Sequence, residues 1–279
     1  MKAPLASVVI PAHNEEAVLG KCLRELMAGS TPGELDITVV ANACTDRTAE
    51  IAREAGVRVV EVSTPGKANA LRLGDAESVT FPRIYVDADI ELDFSSACAL
   101  VRALDRSRAL AAAPVPTWNL IGASGAARRV HSVHEQLMAP RRALAGVGVY
   151  VVTEEGHRRV FPLPDVLSDD GLVERSFAVD ERLVVGDAPV VVRPARSLRA
   201  HIRRRVRVRH GNRQLDSLGM PAQESQLHLQ SLGRLVFDRS VNPVDAVVYL
   251  AVLVIERAIG RWQGPSMAWS TDTTSRQHR

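Results

Sequence analysis

The sequence has few of the residues that mark secreted, zinc-stabilised or membrane-spanning proteins. Its three cysteines, Cys22, Cys44 and Cys98, have a spacing that fits neither a disulfide framework nor a zinc site. The longest apolar run, 246–255, is shorter than the roughly 20 residues that a helix needs to span a bilayer. No apolar signal segment follows Met1. We therefore expect a cytoplasmic protein in a reducing compartment.

Aromatic residues are also scarce, at 4% of the chain, although the segment 193–213 is rich in arginine. Single-stranded nucleic acids bind where basic side chains alternate with aromatic rings on which the bases stack. Because this segment lacks such rings, nucleic acid is not expected as a partner. With 46% hydrophobic residues, 24% charged residues and a formal net charge of +3, the 279-residue chain has the composition of a folded globular protein. Its length is enough for one large α/β domain with an additional helical piece.

Short apolar runs alternate with amphipathic segments over the first hundred residues. The runs at 7–10, 36–41, 57–62 and 83–86 are predicted strands, and Pro11 is expected to end the first of them. Apolar residues recur at helical spacing in the intervening segments, at 18–27, 51–55, 67–73 and 97–104. Strands that alternate with helices in this way predict a parallel sheet with right-handed crossovers.

The later part of the chain is less regular. It predicts a helix at 123–137, a strand at 146–152, a hairpin across 180–193, a basic helix or helix-loop at 197–214 and an apolar helix at 244–262. The turn of the hairpin is placed at Gly186-Asp187.

Two carboxylates stand one residue apart where the fourth predicted strand ends, at Asp87 and Asp89. In extended geometry both side chains project to the same side of the chain. Two buried negative charges are costly unless a cation compensates them. Two other polar loops, 11–15 and 42–46, also follow predicted strands. Because ligands of parallel sheets bind at the carboxyl ends of the strands, the three loops predict a common binding site.

Together with Gly66-Lys67-Ala68-Asn69-Ala70-Leu71 and Ser168-Asp169-Asp170-Gly171, these loops resemble glycosyltransferase family 2. The resemblance covers roughly residues 5 to 215, with four motifs in the right order up to Asp89 and the Ser168 motif downstream of them. It implies a GT-A fold, an α/β architecture with a mostly parallel sheet, flanking helices and, in this chain, a C-terminal helical segment. It divides the chain into a nucleotide-sugar-binding half, 1–110, an acceptor-binding and catalytic half, 111–215, and a C-terminal helical extension, 216–279.

The resemblance also implies an activity, which is metal-dependent transfer of a sugar from a UDP- or GDP-sugar donor to an acceptor hydroxyl, with inversion. Asp87 and Asp89 would hold Mg²⁺ or Mn²⁺, which bind carboxylate and phosphate oxygens together. Asp89 is the expected direct ligand, and Asp87 is expected near the ribose and the metal-bound waters. The residues expected to contact the donor are Pro11, Ala12, His13, Glu15, Asn42, Lys67, Asp87 and Ala88. Of these, Asn42 stands where many family members carry an aspartate that reads the base, which leaves the identity of the base open.

The second acidic pair lies in Ser168-Asp169-Asp170-Gly171. An acceptor hydroxyl must lose its proton as it attacks, and a positioned carboxylate can take it. The resemblance favours Asp170 as this base, with Asp169 as a supporting or alternative base. The other interpretation of the motif is a plain turn or helix cap.

Within the arginine-rich segment, Arg209, His210 and Arg213 are the candidates for contacts to donor or acceptor phosphate. The segment lacks the Gln-x-x-Arg-Trp motif of processive polysaccharide synthases. A solvated basic face is the alternative. A third interpretation is contact with anionic lipid through Arg203, Arg204 and Arg205 and the apolar helix after them, which would suit a lipid-linked acceptor.

Other classes of protein fit the sequence less well. A sugar-phosphate nucleotidyltransferase would open with a Gly-rich loop bearing arginine and lysine, which residues 11–15 do not provide. A retaining GT-A enzyme of the glucosyl-phosphoglycerate synthase kind stays open, and so does a non-catalytic nucleotide-binding or membrane-scaffold protein. His131 and His134 show no third metal ligand nearby in the sequence, and we expect them on a helix surface.

Overall fold

A computed structural model describes residues 3–220 and 229–262 of the chain. Part of the predicted C-terminal extension, 263–279, lies outside the described residues. The strands are β1 (Ala6–Ala12), β2 (Leu35–Asn42), β3 (Arg58–Val62), β4 (Arg83–Val86), β5 (Glu91–Leu92), β6 (Ala111–Trp118), β7 (Val149–Val152) and β8 (Arg182–Val192). The helices are α1 (Leu19–Met27), α2 (Thr48–Glu54), α3 (Lys67–Ala76), α4 (Phe94–Asp105), α5 (Gly125–Met138), α6 (Glu154–Val160), α7 (Asp169–Arg175), α8 (Leu198–Ser217), α9 (Leu229–Phe237) and α10 (Pro243–Trp262).

The strands form one eight-stranded sheet in the order β3-β2-β1-β4-β7-β6-β8-β5. The strands β3, β2, β1 and β4 are mutually parallel, which confirms the prediction for the N-terminal half. The core strands are continuous apolar runs, and Val8, Val9 and Ile10 are fully buried because helices cover both faces of the sheet. This arrangement aligns the carboxyl ends of β1, β2 and β4 at one edge.

Pro11 does not end the first strand, contrary to the prediction. β1 continues through Pro11 to Ala12, and both residues pair with β2. On its other side, β1 pairs with β4 only as far as Val9. The ladder on that side has therefore ended before the proline, whose nitrogen has no hydrogen to donate.

The second half of the sheet is mixed rather than parallel. β7 lies between β4 and β6 and runs antiparallel to both, and β5 is antiparallel to β8. β6 and β8 are parallel, so four of the seven neighbouring strand pairs are parallel. The sheet as a whole is therefore mostly parallel, as predicted.

The predicted hairpin across 180–193 is wrong. β8 is one continuous strand beside β6, and the register jumps from Pro114 opposite Val185 to Val115 opposite Pro189. The intervening residues of β8, including Gly186 and Asp187, form a bulge instead of a turn. A bulge and a tight turn favour the same residue types, because both need unusual backbone angles and leave polar groups exposed.

The C-terminal helices pack beside the sheet as a separate helical layer. α10 contacts α5 and α8 through a buried side formed by Ala246, Tyr249, Val252 and Leu253. The predicted basic helix and the predicted apolar helix are both confirmed, as α8 and α10. The acidic pair of residues 169–170 opens α7, so the motif is a helix start rather than a plain turn.

Candidate active site

A pocket of about 610 Å³ opens at the carboxyl edge of the parallel strands. Its floor comes from the ends of β1 and β4, and α3, α7 and α8 form its walls. The charged residues that line it are Glu15, Lys67, Arg72, Asp87, Asp89, Asp165, Asp169, Asp170, Arg193, Arg203, Arg204 and Arg207. The pocket therefore collects both acidic pairs of the sequence and a group of basic side chains in one place.

Lys67 joins the two acidic pairs. It is the first residue of α3, and its Nζ lies 2.6 Å from Asp87 Oδ1 and 2.9 Å from Asp169 Oδ1. Burial alone would lower the pKa of Lys67, but the charges of Asp169, Asp87 and Asp170 outweigh burial, and the pKa is raised. Lys67 is therefore a permanent cation that neutralises much of the negative charge around it.

Asp169 and Asp170 are neighbours in sequence but differ in environment. Burial raises the pKa of Asp169, and the charge of Lys67 only partly offsets this effect. Burial also acts on Asp170, but Lys67 and three hydrogen bonds outweigh it and lower the pKa. The donors are the Ser168 hydroxyl at 2.9 Å and the backbone N–H groups of Gly146 and Gly171, each at 2.8 Å. Asp170 is thus the weaker proton acceptor of the two.

Asp87 and Asp89 lie in the turn that follows β4, and both line the pocket. The backbone N–H of Asp87 donates to the carbonyl of Gly148 at 2.8 Å. Gly148 has a φ of 73°, and a Cβ there would lie 2.8 Å from Ile90 Cγ1 and 3.2 Å from Asp87 Oδ2. Only glycine satisfies both this backbone angle and the close approach to the acidic turn.

Within the described residues, no three His, Cys, Asp or Glu side chains are grouped so as to hold a metal ion by themselves. Two carboxylates beside basic groups nevertheless fit Mg²⁺ or Mn²⁺, because such ions take the remainder of their ligands from substrate phosphate and water. The donor set of Asp87 and Asp89 is thus suited to a cation that arrives with a diphosphate rather than to a resident structural metal.

The predicted donor residues of the first loop divide into two groups. Pro11 and the buried Glu15 line the pocket, and the backbone N–H of Glu15 donates to Thr48 Oγ1 at 2.8 Å. Ala12 is buried below the surface, and His13 Nδ1 lies 2.7 Å from the carbonyl oxygen of Asn42. Ala88 is buried between the two aspartates and also lines the pocket.

Asn42 has a structural function in this conformation. It is fully buried, its Nδ2 donates to the Thr64 carbonyl at 2.9 Å, and its Oδ1 accepts from the Gly66 N–H at 2.9 Å. The loop that leads into α3 therefore engages both the donor group and the acceptor group of the amide. The side chain that was expected to read the base thus holds the loop that positions Lys67.

The structure corrects the prediction for Arg209, His210 and Arg213, which do not line the pocket. They lie on the side of α8 that packs against α10. Arg209 Nη2 lies 2.9 Å from Glu256 Oε1, Arg213 Nη1 donates to the Gly260 carbonyl at 2.9 Å, and His210 Nε2 lies 3.3 Å from the same oxygen. These side chains attach α10 to α8.

The arginines that do line the pocket were missed. Arg203, Arg204 and Arg207 project from the other side of α8, and Arg193 comes from the end of β8. Arg193 also forms an ion pair with Glu91. A signal was present in the sequence, because residues 203 and 207 are four apart, while 205, 209 and 213 form another row at the same spacing. Only the packing of α10 decides which row faces the pocket.

α7 and α8 approach each other closely at glycine. A Cβ on Gly211 of α8 would lie 2.9 Å from Ser168 Cβ, and a Cβ on Gly171 of α7 would lie 3.2 Å from Leu215 Cδ1 of α8. The residue before the acidic pair therefore rests directly on the backbone of the helix that carries the pocket arginines.

The two histidines of α5 are half-buried between helices, whereas the sequence predicted them on a helix surface. The His131 ring lies edge-on to His201 with centroids 4.9 Å apart, and His134 Nδ1 lies 3.0 Å from the Tyr249 hydroxyl. Burial lowers the pKa of His131 to about 4 and that of His201 to about 3. They belong to the packing between α5, α8 and α10.

Comparison with known proteins begins with the family described as Glycosyl transferase family 2, whose profile matches residues 7–144. The matched region contains the first strand, the loop around Asn42, Lys67 and the Asp87-Ala88-Asp89 turn. The chain belongs to glycosyltransferase family 2.

Curated relatives of this family 2 chain match it only in part. A 4,4'-diaponeurosporenoate glycosyltransferase of Staphylococcus haemolyticus is 40% identical over 94 residues, which are 31% of this chain and 24% of the relative. The protein of the same name from Staphylococcus aureus strain USA300 is 33% identical over 90 residues, with coverages of 30% and 24%. The chain thus matches about a quarter of the length of these relatives.

Solved structures show the same fold as this family 2 chain. A mannosyltransferase from Pyrobaculum calidifontis, in complex with GDP-Man and Mn²⁺, has a TM-score of 0.62 at 17% identity, covering 92% of this chain and 76% of that one. Glucosyl-3-phosphoglycerate synthase from Mycobacterium tuberculosis, with Mn²⁺, UDP-glucose and phosphoglyceric acid, has a TM-score of 0.55 at 21% identity, with coverages of 78% and 81%. The GT-A fold predicted from the sequence is confirmed.

Proposed function

We propose that this protein is a metal-dependent glycosyltransferase that moves a sugar from a nucleotide-diphosphate donor to an acceptor hydroxyl. The observation that carries the proposal is the pocket itself, in which Lys67 joins Asp87 of the strand-end turn to Asp169 of the second acidic pair. Family membership and a fold shared with a GDP-mannose complex and a UDP-glucose complex support a UDP- or GDP-sugar as the donor.

Asp89 and Asp87 are the proposed ligands of Mg²⁺ or Mn²⁺. When bound, the metal would act as a Lewis acid on the leaving diphosphate. The two solved relatives named above contain Mn²⁺, which supports this assignment. Glu15 and Pro11 would contact the nucleoside on the side of the pocket formed by β1.

The chain's own cations would hold the diphosphate charge. Arg203, Arg204 and Arg207 line one wall of the pocket, and Lys67 stands at the start of α3. Guanidinium groups bind phosphate oxygens through two parallel hydrogen bonds, which fixes orientation as well as charge. This basic wall takes the function that the sequence assigned to the other row of α8.

The acidic pair of α7 would supply the base that deprotonates the acceptor. Position in the family motif favours Asp170, and the raised pKa favours Asp169, because a carboxylate with a raised pKa accepts a proton more readily. Inversion is proposed from the family, and NMR of the anomeric proton of the product distinguishes it from retention.

The acceptor is proposed to be lipid-linked, with the enzyme peripheral to the inner face of a membrane. No helix in the described ranges is both long and apolar enough to cross a bilayer. The proposal rests instead on an exposed apolar surface of α10.

Calorimetry of UDP and GDP binding, with and without Mn²⁺, tests the function. We expect one of the nucleotides to bind the wild-type protein in a Mn²⁺-dependent manner, and Asp89→Ala to lose the metal-dependent part of that affinity. Asp105→Ala, which removes a carboxylate at the exposed end of α4, is the charge-matched control and should bind as the wild type does. Absence of Mn²⁺-dependent binding in the wild type, or its persistence in Asp89→Ala, would contradict the proposal.

A further inference from the structure

The exposed side of α10 is apolar along nearly its whole length. Val244, Val247 and Val254 are 60%, 65% and 64% exposed, and Trp262 is 91% exposed. With Leu250 and Ile255, which are also exposed, they form a stripe that we name the outer face of α10. At about 100° per residue, these six positions fall within an arc of about 140° around the helix axis, so they lie on one side of the helix. The opposite side is buried against α5 and α8.

The charges of α10 are distributed unevenly between its two sides. Its two acidic residues do not contribute to the outer face, because Asp245 is ion-paired with Arg129 and Glu256 is buried against α8. The exposed charges are Arg257 and Arg261, and neither forms an ion pair within the part of the chain that the structure describes. The surface therefore combines apolar side chains with unpaired positive charge at its C-terminal end.

We propose that the outer face of α10 docks on an anionic lipid bilayer, with the helix lying in the plane of the headgroups. The apolar stripe matches the acyl boundary, the two arginines match anionic headgroups, and Trp262 matches the interfacial region. This inference deepens the peripheral contact proposed above and does not depend on the transferase assignment. A second copy of this chain is the weaker occupant, because its own outer face offers no carboxylate to Arg257 and Arg261.

The structure thereby moves the lipid contact away from the arginine run. Arg203 and Arg204 line the pocket, and Arg205 is bound by Glu256. The sequence alone had grouped these three arginines with the apolar helix as one lipid-binding element.

Co-sedimentation of the full chain with vesicles tests the proposal. The vesicles contain either phosphatidylcholine alone or phosphatidylcholine with phosphatidylglycerol. The test variant is Val247→Glu/Val254→Glu. The matched control is Val79→Glu/Val179→Glu, which makes the same double change at valines that are 66% and 51% exposed elsewhere. We expect the wild-type and control proteins to bind the anionic vesicles, and the affinity of the α10 variant to be lower by roughly tenfold or more. Binding should weaken at 1 M salt, where the Debye length is about 3 Å. Arg203→Gln/Arg204→Gln should bind as the wild type does.

Several outcomes would overturn the proposal. Equal binding by the α10 variant and the control would place the lipid contact elsewhere, and equal binding to both kinds of vesicle would remove the anionic specificity. No vesicle binding, with a dimer in light scattering that the α10 variant dissociates, would assign the outer face to a second copy. A protein that stays monomeric and binds no vesicles would show that the outer face of α10 docks on neither lipid nor a second copy. Mn²⁺-dependent nucleotide binding is measured on the same samples, so a failure of the lipid proposal is distinguishable from a failure of the transferase proposal.

Discussion

Among the acidic side chains outside the pocket, Glu256 should be one of those whose neutralisation lowers the free energy of unfolding most. Its side chain is 1% exposed, and its two carboxylate oxygens lie 3.2 Å from Arg205 Nε and 2.9 Å from Arg209 Nη2. Both bonds join α10 to α8, the helix whose other side lines the pocket. In Glu256→Gln the shape is preserved, but the charge that compensates two arginines is removed.

The magnitude follows from the burial of the three groups. Removing one partner of a fully buried pair costs about 3–5 kcal/mol, and a single hydrogen bond to a charged group contributes about 1.5–3 kcal/mol. The two arginine side chains are 22% and 28% exposed, so water replaces part of what they lose. We therefore expect Glu256→Gln to lower the free energy of unfolding by about 2–3 kcal/mol.

Urea denaturation followed by circular dichroism measures this difference. Asp245→Asn is the matched control, because Asp245 pairs with Arg129, whose side chain is 52% exposed, and should cost no more than about 1 kcal/mol. Equal losses in the two variants would refute the reasoning, since burial would then not determine the strength of these ion pairs. A loss confined to Glu256→Gln, with an unchanged dependence on urea concentration, would support it.

The remaining predictions concern the acidic pair, the two sides of α8 and pH. Asp169→Asn and Asp170→Asn should each retain Mn²⁺-dependent nucleotide binding. The variant that lacks the base should transfer sugar at least about 10²-fold more slowly than the wild type in single-turnover kinetics. Full activity in both variants would reduce the motif to a helix start. Arg207→Gln should weaken nucleotide binding in calorimetry while Arg213→Gln leaves it unchanged, and the reverse order would show that the wrong side of α8 was assigned to the pocket. His201 has a pKa lowered to about 3 in the folded protein, mainly by burial, so the unfolded chain takes up its proton first as the pH falls below about 6.5. Its contribution should lower the free energy of unfolding by about 2 kcal/mol between pH 7 and pH 5, and His201→Gln should remove that part of the slope in urea titrations at the two pH values.

The N-terminal half of the fold could be predicted because each of its strands and helices is marked by residues close together in the sequence. Continuous β-branched runs mark the buried strands β1 to β4, and the helical spacing of apolar residues marks α1 and α3. The polar loops that follow these strands then had to meet at one edge, since parallel strands end on the same side. Asp87 and Asp89 were found in this way, whereas Lys67 and the pair of Asp169 and Asp170 were assigned from the resemblance to glycosyltransferase family 2.

What the sequence did not reveal depends on contacts between distant segments. β6 carries two prolines, which argue against a strand, and they are accommodated beside a bulge in a partner about 70 positions later in the chain. The two arginine rows of α8 look alike in the sequence, and only the position of Glu256 on α10 determines which row is turned away from the pocket. The hydrogen bonds by which Asn42 holds a loop about 22 residues away were likewise not evident from its position in the sequence.

The contact of Gly211 with Ser168 has a consequence for how this pocket can vary between related proteins. Because the Cβ of Ser168 keeps its place whichever rotamer the side chain adopts, a methyl group added at Gly211 must push α8 away from Ser168. The distance between the acidic pair and α8 is therefore a fixed dimension of the scaffold. Substrate preference can then diverge only through the side chains that project from this frame, such as those at positions 203 and 207. Gly211 thus keeps the spacing of these two segments constant, while the side chains that line the pocket are free to change.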